Sequence, residues 1–190
     1  MEGEIPLYSF HSRHLTEGMP RRQSRRNRRK TRKARRKQRG GAAAETVEGI
    51  SFPNTASLMA SFSKAEMKGE SIPLEDTQEK PLIVWDKPSP GTHVTFICFD
   101  PDATAKSWLH WLVVNCTGVD TSSGTEIVDW TPPAPPSGTH TYYMATFEHV
   151  FPINVKPFTQ RGYFNLQEFV KTHALEPRSI TSFRTSAKRG

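Results

Sequence analysis

Asp100 and Asp102 bracket a proline at the end of one apolar run, and His110 sits inside the next, in FICFDPDATAKSWLHWLVVNC (96–116). His140 and Tyr142 lie two apart in THTYYMATFEHV (139–150). Carboxylates and imidazoles held together can exchange protons with a substrate or ligate a metal. A carboxylate beside a histidine also fixes its tautomer or keeps it charged. Against these readings, a lone histidine in an apolar strand is commonly a hydrogen-bonded core residue. No pair here has the close spacing of a zinc motif. No Gly-x-Ser-x-Gly or Cys–His signature supplies a nucleophile. The expectation is therefore a protein that is not an enzyme and needs neither metal nor cofactor.

Strands must position these side chains. THVTFICF (92–99) and WLHWLVVNC (108–116) are apolar on both faces, the pattern of central strands covered on each side. SLMASF (57–62), KPLIVWD (80–86), GTEIVDW (124–130) and the long run 139–150 read as further strands. TPPAPPSG (131–138) is a proline loop, and YFNLQEFVKTHAL (163–175) has near-helical apolar spacing. Several strands and one late helix make a mainly β, α+β domain. Alternation puts His110 on one face with Trp108 and Leu112, and His140 with Tyr142. Pro101 keeps Asp100 extended. If the three strands are neighbours, two histidines, a tyrosine and one or two aspartates converge on one rim.

The charge divides the chain. Arg21, Arg22, Arg25, Arg26, Arg28, Arg29, Lys30, Arg32, Lys33, Arg35, Arg36, Lys37 and Arg39 form a basic arm with no acid among them. The overall charge of +7 thus leaves thirteen cations against nineteen acids elsewhere, a net of −6. The arm has no apolar periodicity, so residues 1–49 are expected to be disordered and residues 50–190 to form the domain. Such a run binds nucleic acid by releasing counterions, and serves equally as a nuclear-import signal. It lacks the aromatic residues needed for base stacking and membrane insertion. No apolar run reaches the roughly 18 residues of a membrane span. MEGEIPLYSF lacks the basic start and apolar block of a secretory signal, so an intracellular setting is expected, with nucleus, virion or nucleoprotein particle as candidates. Cys98 and Cys116 then read as buried free thiols, and the Asn115-Cys116-Thr117 sequon as fortuitous.

Asp100-Pro101-Asp102-Ala103, then WLHWLVVN, then Gly138-Thr139-His140-Thr141 resemble, in order, the hallmarks of the phosphatidylethanolamine-binding protein family. That family includes the Raf kinase inhibitor proteins and the plant flowering regulators. PLIVWD, SSGTEIVDW and FNLQEFVKTHAL support the resemblance, which spans roughly Phe52 to Ile180. It implies a central β-sheet flanked by a smaller sheet and a few helices, with an anion-binding pocket at one end. By position the pocket would involve Asp100, Pro101, Asp102, Trp108, His110, Gly138, His140 and Tyr142. Ring N–H groups and a tyrosine hydroxyl can donate to phosphate or carboxylate. Three departures fall at the pocket mouth: TPPAPP replaces a glycine-rich segment, Thr141 replaces an arginine, and Thr104 replaces a proline. The expected function is an anion- or phospholipid-headgroup-binding regulatory module acting through a protein partner. The alternative is a structural nucleoprotein component, of a virion or mitochondrial ribosome, in which the β domain is a docking body.

Overall fold

A computed structural model describes residues 44–63, 65–66 and 71–188. The basic arm, and residues 1–43 of the tail expected over 1–49, lie outside the described residues. Chain order begins with a hairpin, β1 (Glu45–Val47) and β2 (Ile50–Phe52). Its turn residues, Glu48 and Gly49, both have positive φ, 49° and 74°, which suits the twist of a two-residue hairpin. Folded structure therefore starts ahead of residue 50, where the apolar pattern suggested it would.

A five-stranded antiparallel sheet carries the core, in the order β10 (Glu176–Ser186), β9 (Thr139–His149), β6 (His93–Asp100), β7 (Trp108–Cys116) and β8 (Thr125–Val128). The smaller sheet orders β4 (Ala65–Glu66), β3 (Leu58–Phe62) and β5 (Leu82–Trp85). Central β6 is covered on both faces, as its unbroken apolar run requires. Ile97 and Phe99 join one cluster with Phe52, Leu166 and Phe169. Phe96 and Cys98 join the other with Phe62, Ile83 and Trp85 of the small sheet. Both cysteines are buried free thiols.

The late helix, α1 (Leu166–Thr172), is shorter than the apolar spacing suggested. Asn165 caps it by accepting from the Glu168 N–H, and Ala174 beyond its end has a positive φ of 50°. The preceding residues brace the rim instead. Tyr163 N–H donates to Ala105 and Phe164 N–H to Ser107, at 2.8 and 3.2 Å. Strand β10 has no counterpart in the sequence reading, because Pro177 demotes a strand assignment. It pairs along β9 nonetheless, with a register shift between Pro177 and Ser179.

Candidate functional site

Because β6 runs antiparallel to both neighbours, its C-terminal end meets the N-terminal ends of β7 and β9. Asp100, Trp108, His110, His140 and Tyr142 thereby meet at one rim and line a pocket of about 290 Å³. His140 Nδ1–H donates to Asp100 Oδ2 at 2.7 Å, while Asp100 Oδ1 accepts the Asp102 N–H at 2.8 Å. Asp100 is only 3% exposed. Its carboxylate thus orients the imidazole and ties down the turn that follows.

His110 is placed by a β-bulge. Cys98 pairs with Trp111 and Phe99 with Leu109, leaving His110 without an opposite residue. The bulge breaks the expected alternation: Leu112 packs in the cluster of Leu109 and Phe99, not beside His110. His110 instead sits edge-on to Tyr142, with ring centroids 5.2 Å apart, and against Trp130 at 6.3 Å. Bulges that re-aim one side chain are common beside functional sites. The ladder-free His110 carbonyl is satisfied elsewhere, accepting from Thr131 N–H at 3.0 Å and Arg161 Nη1 at 3.1 Å.

His110 Nδ1 lies 2.7 Å from the Thr131 carbonyl, which only accepts, so Nδ1 carries the proton. Both imidazoles therefore commit Nδ1 and make no hydrogen bond at Nε2 among the described residues. Burial is the largest influence on His110 and holds its pKa below the ordinary value. A neutral His110 presents an Nε2 lone pair; taking up a proton turns it into a donor for an anion. Tyr142 is 1% exposed, and burial, then the Asp100 charge, push its pKa up, so it stays protonated as a potential donor.

Three residues suggested by the resemblance lie elsewhere. Pro101 lines a separate open hollow with Lys106, Tyr163 and Gln167. Asp102 is exposed, and its Oδ2 accepts the Thr141 N–H at 2.8 Å, stitching the two motifs together through backbone. Gly138 is the exposed turn residue before β9, with a φ of 66° that suits glycine. The walls hold Ala103 together with residues of the departures expected at the mouth: Thr104 and the loop residues Thr131, Pro132, Ala134, Pro135 and Pro136. Arg161 was missed. It pairs with Asp129, donates to the Asp129 carbonyl at 2.8 Å and clamps the bulge, and no sequence motif announces it. Among the described residues, no group of three or more His, Cys, Asp or Glu could hold a metal ion. No described helix is long and apolar enough to cross a membrane.

The sequence profile of the family described as Phosphatidylethanolamine-binding protein matches residues 54–183. The chain belongs to the phosphatidylethanolamine-binding protein family. Solved structures with the same fold include a carboxypeptidase Y inhibitor complexed with its cognate proteinase, at 16% identity and TM-score 0.62, covering 73% of this chain and 86% of that one. A phosphatidylethanolamine-binding protein from Plasmodium vivax aligns at 15% identity and TM-score 0.60, over 70% and 86% of the two chains. Its Plasmodium falciparum counterpart aligns at 15% and 0.58, over 69% and 85%. In this member of the phosphatidylethanolamine-binding protein family, the TPPAPP segment supplies much of the pocket wall.

Proposed function

We propose that the chain is a non-enzymatic, intracellular regulatory module that binds a small anion or phospholipid headgroup at the Asp100–His140 rim and acts through a protein partner. One observation carries this reading: two imidazoles at an open pocket, each anchored through Nδ1, with Nε2 left for a ligand. Proton uptake at His110 would then accompany binding, since an anion favours the charged imidazole. A protein partner is supported by the shared fold with an inhibitor solved on its proteinase. The residues ahead of β1 form the tail, whose arm binds nucleic acid or an import receptor. The decisive experiment is an NMR titration of the full chain with phosphate. His110 and His140 should shift together, and His140→Ala should abolish the His110 response. Silence of both histidines at millimolar phosphate overturns the pocket reading.

The charge division favours a second reading, in which the arm grips RNA or DNA and the body docks in a nucleoprotein particle, of a virion or mitochondrial ribosome. If about eight arm cations meet phosphates, the log–log salt slope on duplex DNA should be near about −7. A slope near zero, or equal affinity after deletion of residues 21–39, removes the nucleic-acid role. Nucleic acid co-purifying with the full chain would favour the particle over the regulatory module.

A further inference from the structure

The pocket divides into a polar floor and an apolar wall. The floor holds Asp100, His110 and His140; the wall supplied by the proline loop is Pro132, Ala134, Pro135 and Pro136. Among the described residues no lysine or arginine lines the pocket, and Asp100 is the one carboxylate that does. That carboxylate is almost fully buried, and each of its oxygens already accepts a hydrogen bond, from His140 and from the Asp102 N–H. An ammonium group on a bound ligand would leave water for proline and alanine, with only the neutral threonines Thr104 and Thr131 and the buried, already engaged Asp100 to replace its hydration. An apolar substituent in the same place would bury surface against those rings.

We infer that this pocket selects an anion bearing an apolar arm and discriminates against one bearing an ammonium group, including ethanolamine phosphate. The inference rests on the anion-binding reading above and specifies its ligand class. The selector is the proline wall. The floor serves any small anion alike, because its donors are imidazole and phenol groups. The wall decides which substituent can follow the anion into the mouth.

The experiment follows His110 and His140 resonances in the full chain during titration with inorganic phosphate, phenyl phosphate and phosphoethanolamine at equal ionic strength. Phenyl phosphate should bind about tenfold tighter than phosphate, the effect of roughly two buried methylenes. Phosphoethanolamine should bind no tighter than phosphate. Equal affinity for phenyl phosphate and phosphate overturns the inference and leaves the anion pocket standing, as does a preference for phosphoethanolamine. No response to any of the three overturns the anion pocket itself. Ala134→Glu supplies a carboxylate on the wall at an exposed loop position, where folding is little affected. It should move the preference toward phosphoethanolamine by about threefold; an unchanged ratio overturns the wall as selector. Dihexanoyl phosphatidic acid against glycerol 3-phosphate separates the sources of such a ligand. Tighter lipid binding assigns a headgroup with its acyl ester, and equality, with phenyl phosphate still preferred, assigns a soluble aryl ester.

Discussion

The two ends of the central sheet each hold a pair of histidines, and the pairs are wired differently. At the rim, His110 and His140 each spend one ring nitrogen on the protein. At the far end His149 spends both: Nδ1–H donates to Phe151 O at 2.8 Å, and Nε2 accepts from Thr95 Oγ1 at 3.0 Å. His93 stacks on it with centroids 5.6 Å apart, its Nδ1 buried without a hydrogen bond among the described residues. Nearby polar groups close the same end. Glu148 accepts from Ser89 N–H and Thr92 Oγ1, and Arg178 Nη2 donates to the carbonyls of Asp86 and Lys87. A histidine whose two nitrogens are satisfied by its own chain is part of the scaffold. One with a nitrogen left over at a cavity is available for chemistry.

The widest separation between the ends should appear on paired alanine variants. His149→Ala removes two buried hydrogen bonds and leaves a void, and should destabilise the fold by about 2–4 kcal/mol. Its anion affinity should stay within twofold or so of the parent. His140→Ala should do the reverse, weakening phosphate binding more than about tenfold while destabilising by only about 1 kcal/mol, since solvent in the pocket can serve Asp100. Denaturant midpoints and phosphate titrations on both variants check this. A large loss of anion affinity in His149→Ala would show that the two ends are coupled.

Acid should strain both ends, and ligand should protect only one. Burial holds the pKa of both His110 and His149 below the ordinary histidine value. As pH falls through about 6.5, the unfolded chain takes up these protons before the folded one does. Stability is therefore fully present above that pH and drains away as pH falls toward the folded-state values. Phosphate should recover the part due to His110, because a bound anion stabilises its imidazolium, and leave the His149 part untouched. Urea midpoints between pH 7.5 and 5.5, with and without phosphate, measure it. A loss that phosphate leaves wholly unchanged in the parent would mean that His110 does not face the anion.

Much of this contrast was legible before any coordinates. Continuous apolar runs announced β6 and β7 because a strand covered on both faces has no polar alternation, and β7 keeps its expected limits of 108 and 116. The meeting of Asp100, His110, His140 and Tyr142 was expected on the condition that their three strands are neighbours, which the pairing of β6 with β7 and β9 supplies. The bulge at His110 was not, since one unpaired residue in a ladder leaves no compositional mark. The proline loop was legible only through the resemblance: composition marks TPPAPP as a connection, and its place by the second motif put it at the pocket mouth, where it forms a wall. The far-end histidines carried no motif, and their satisfied nitrogens depend on a hydroxyl and a carbonyl that spacing cannot place. Strand β10 stayed hidden behind Pro177, which the bulge accommodates.

The smallest effect is the sharpest test of register at the rim. Thr141, which stands in place of the motif's arginine, alternates away from His140 and Tyr142 and does not line the pocket. Its N–H is held by Asp102 Oδ2, so the link between the two motifs survives without an arginine side chain. Across the ladder Thr141 stands opposite Arg184 of β10. Thr141→Arg would set two guanidinium groups against each other on an edge pair, destabilising by about 0.2–1 kcal/mol. Part of that is offset by attraction to Asp102, which is exposed and therefore screened. Adding Arg184→Glu should turn the repulsion into attraction and restore the loss, a coupling that a double-mutant cycle reads directly. Anion affinity should stay within about twofold in all three variants, since none changes a group on the pocket face. If Thr141→Arg instead strengthened phosphate binding about tenfold without moving the melting temperature, its side chain would be reaching the pocket. The alternation that separates His140 from Thr141 would then have to be broken, as it is at His110, by a second bulge.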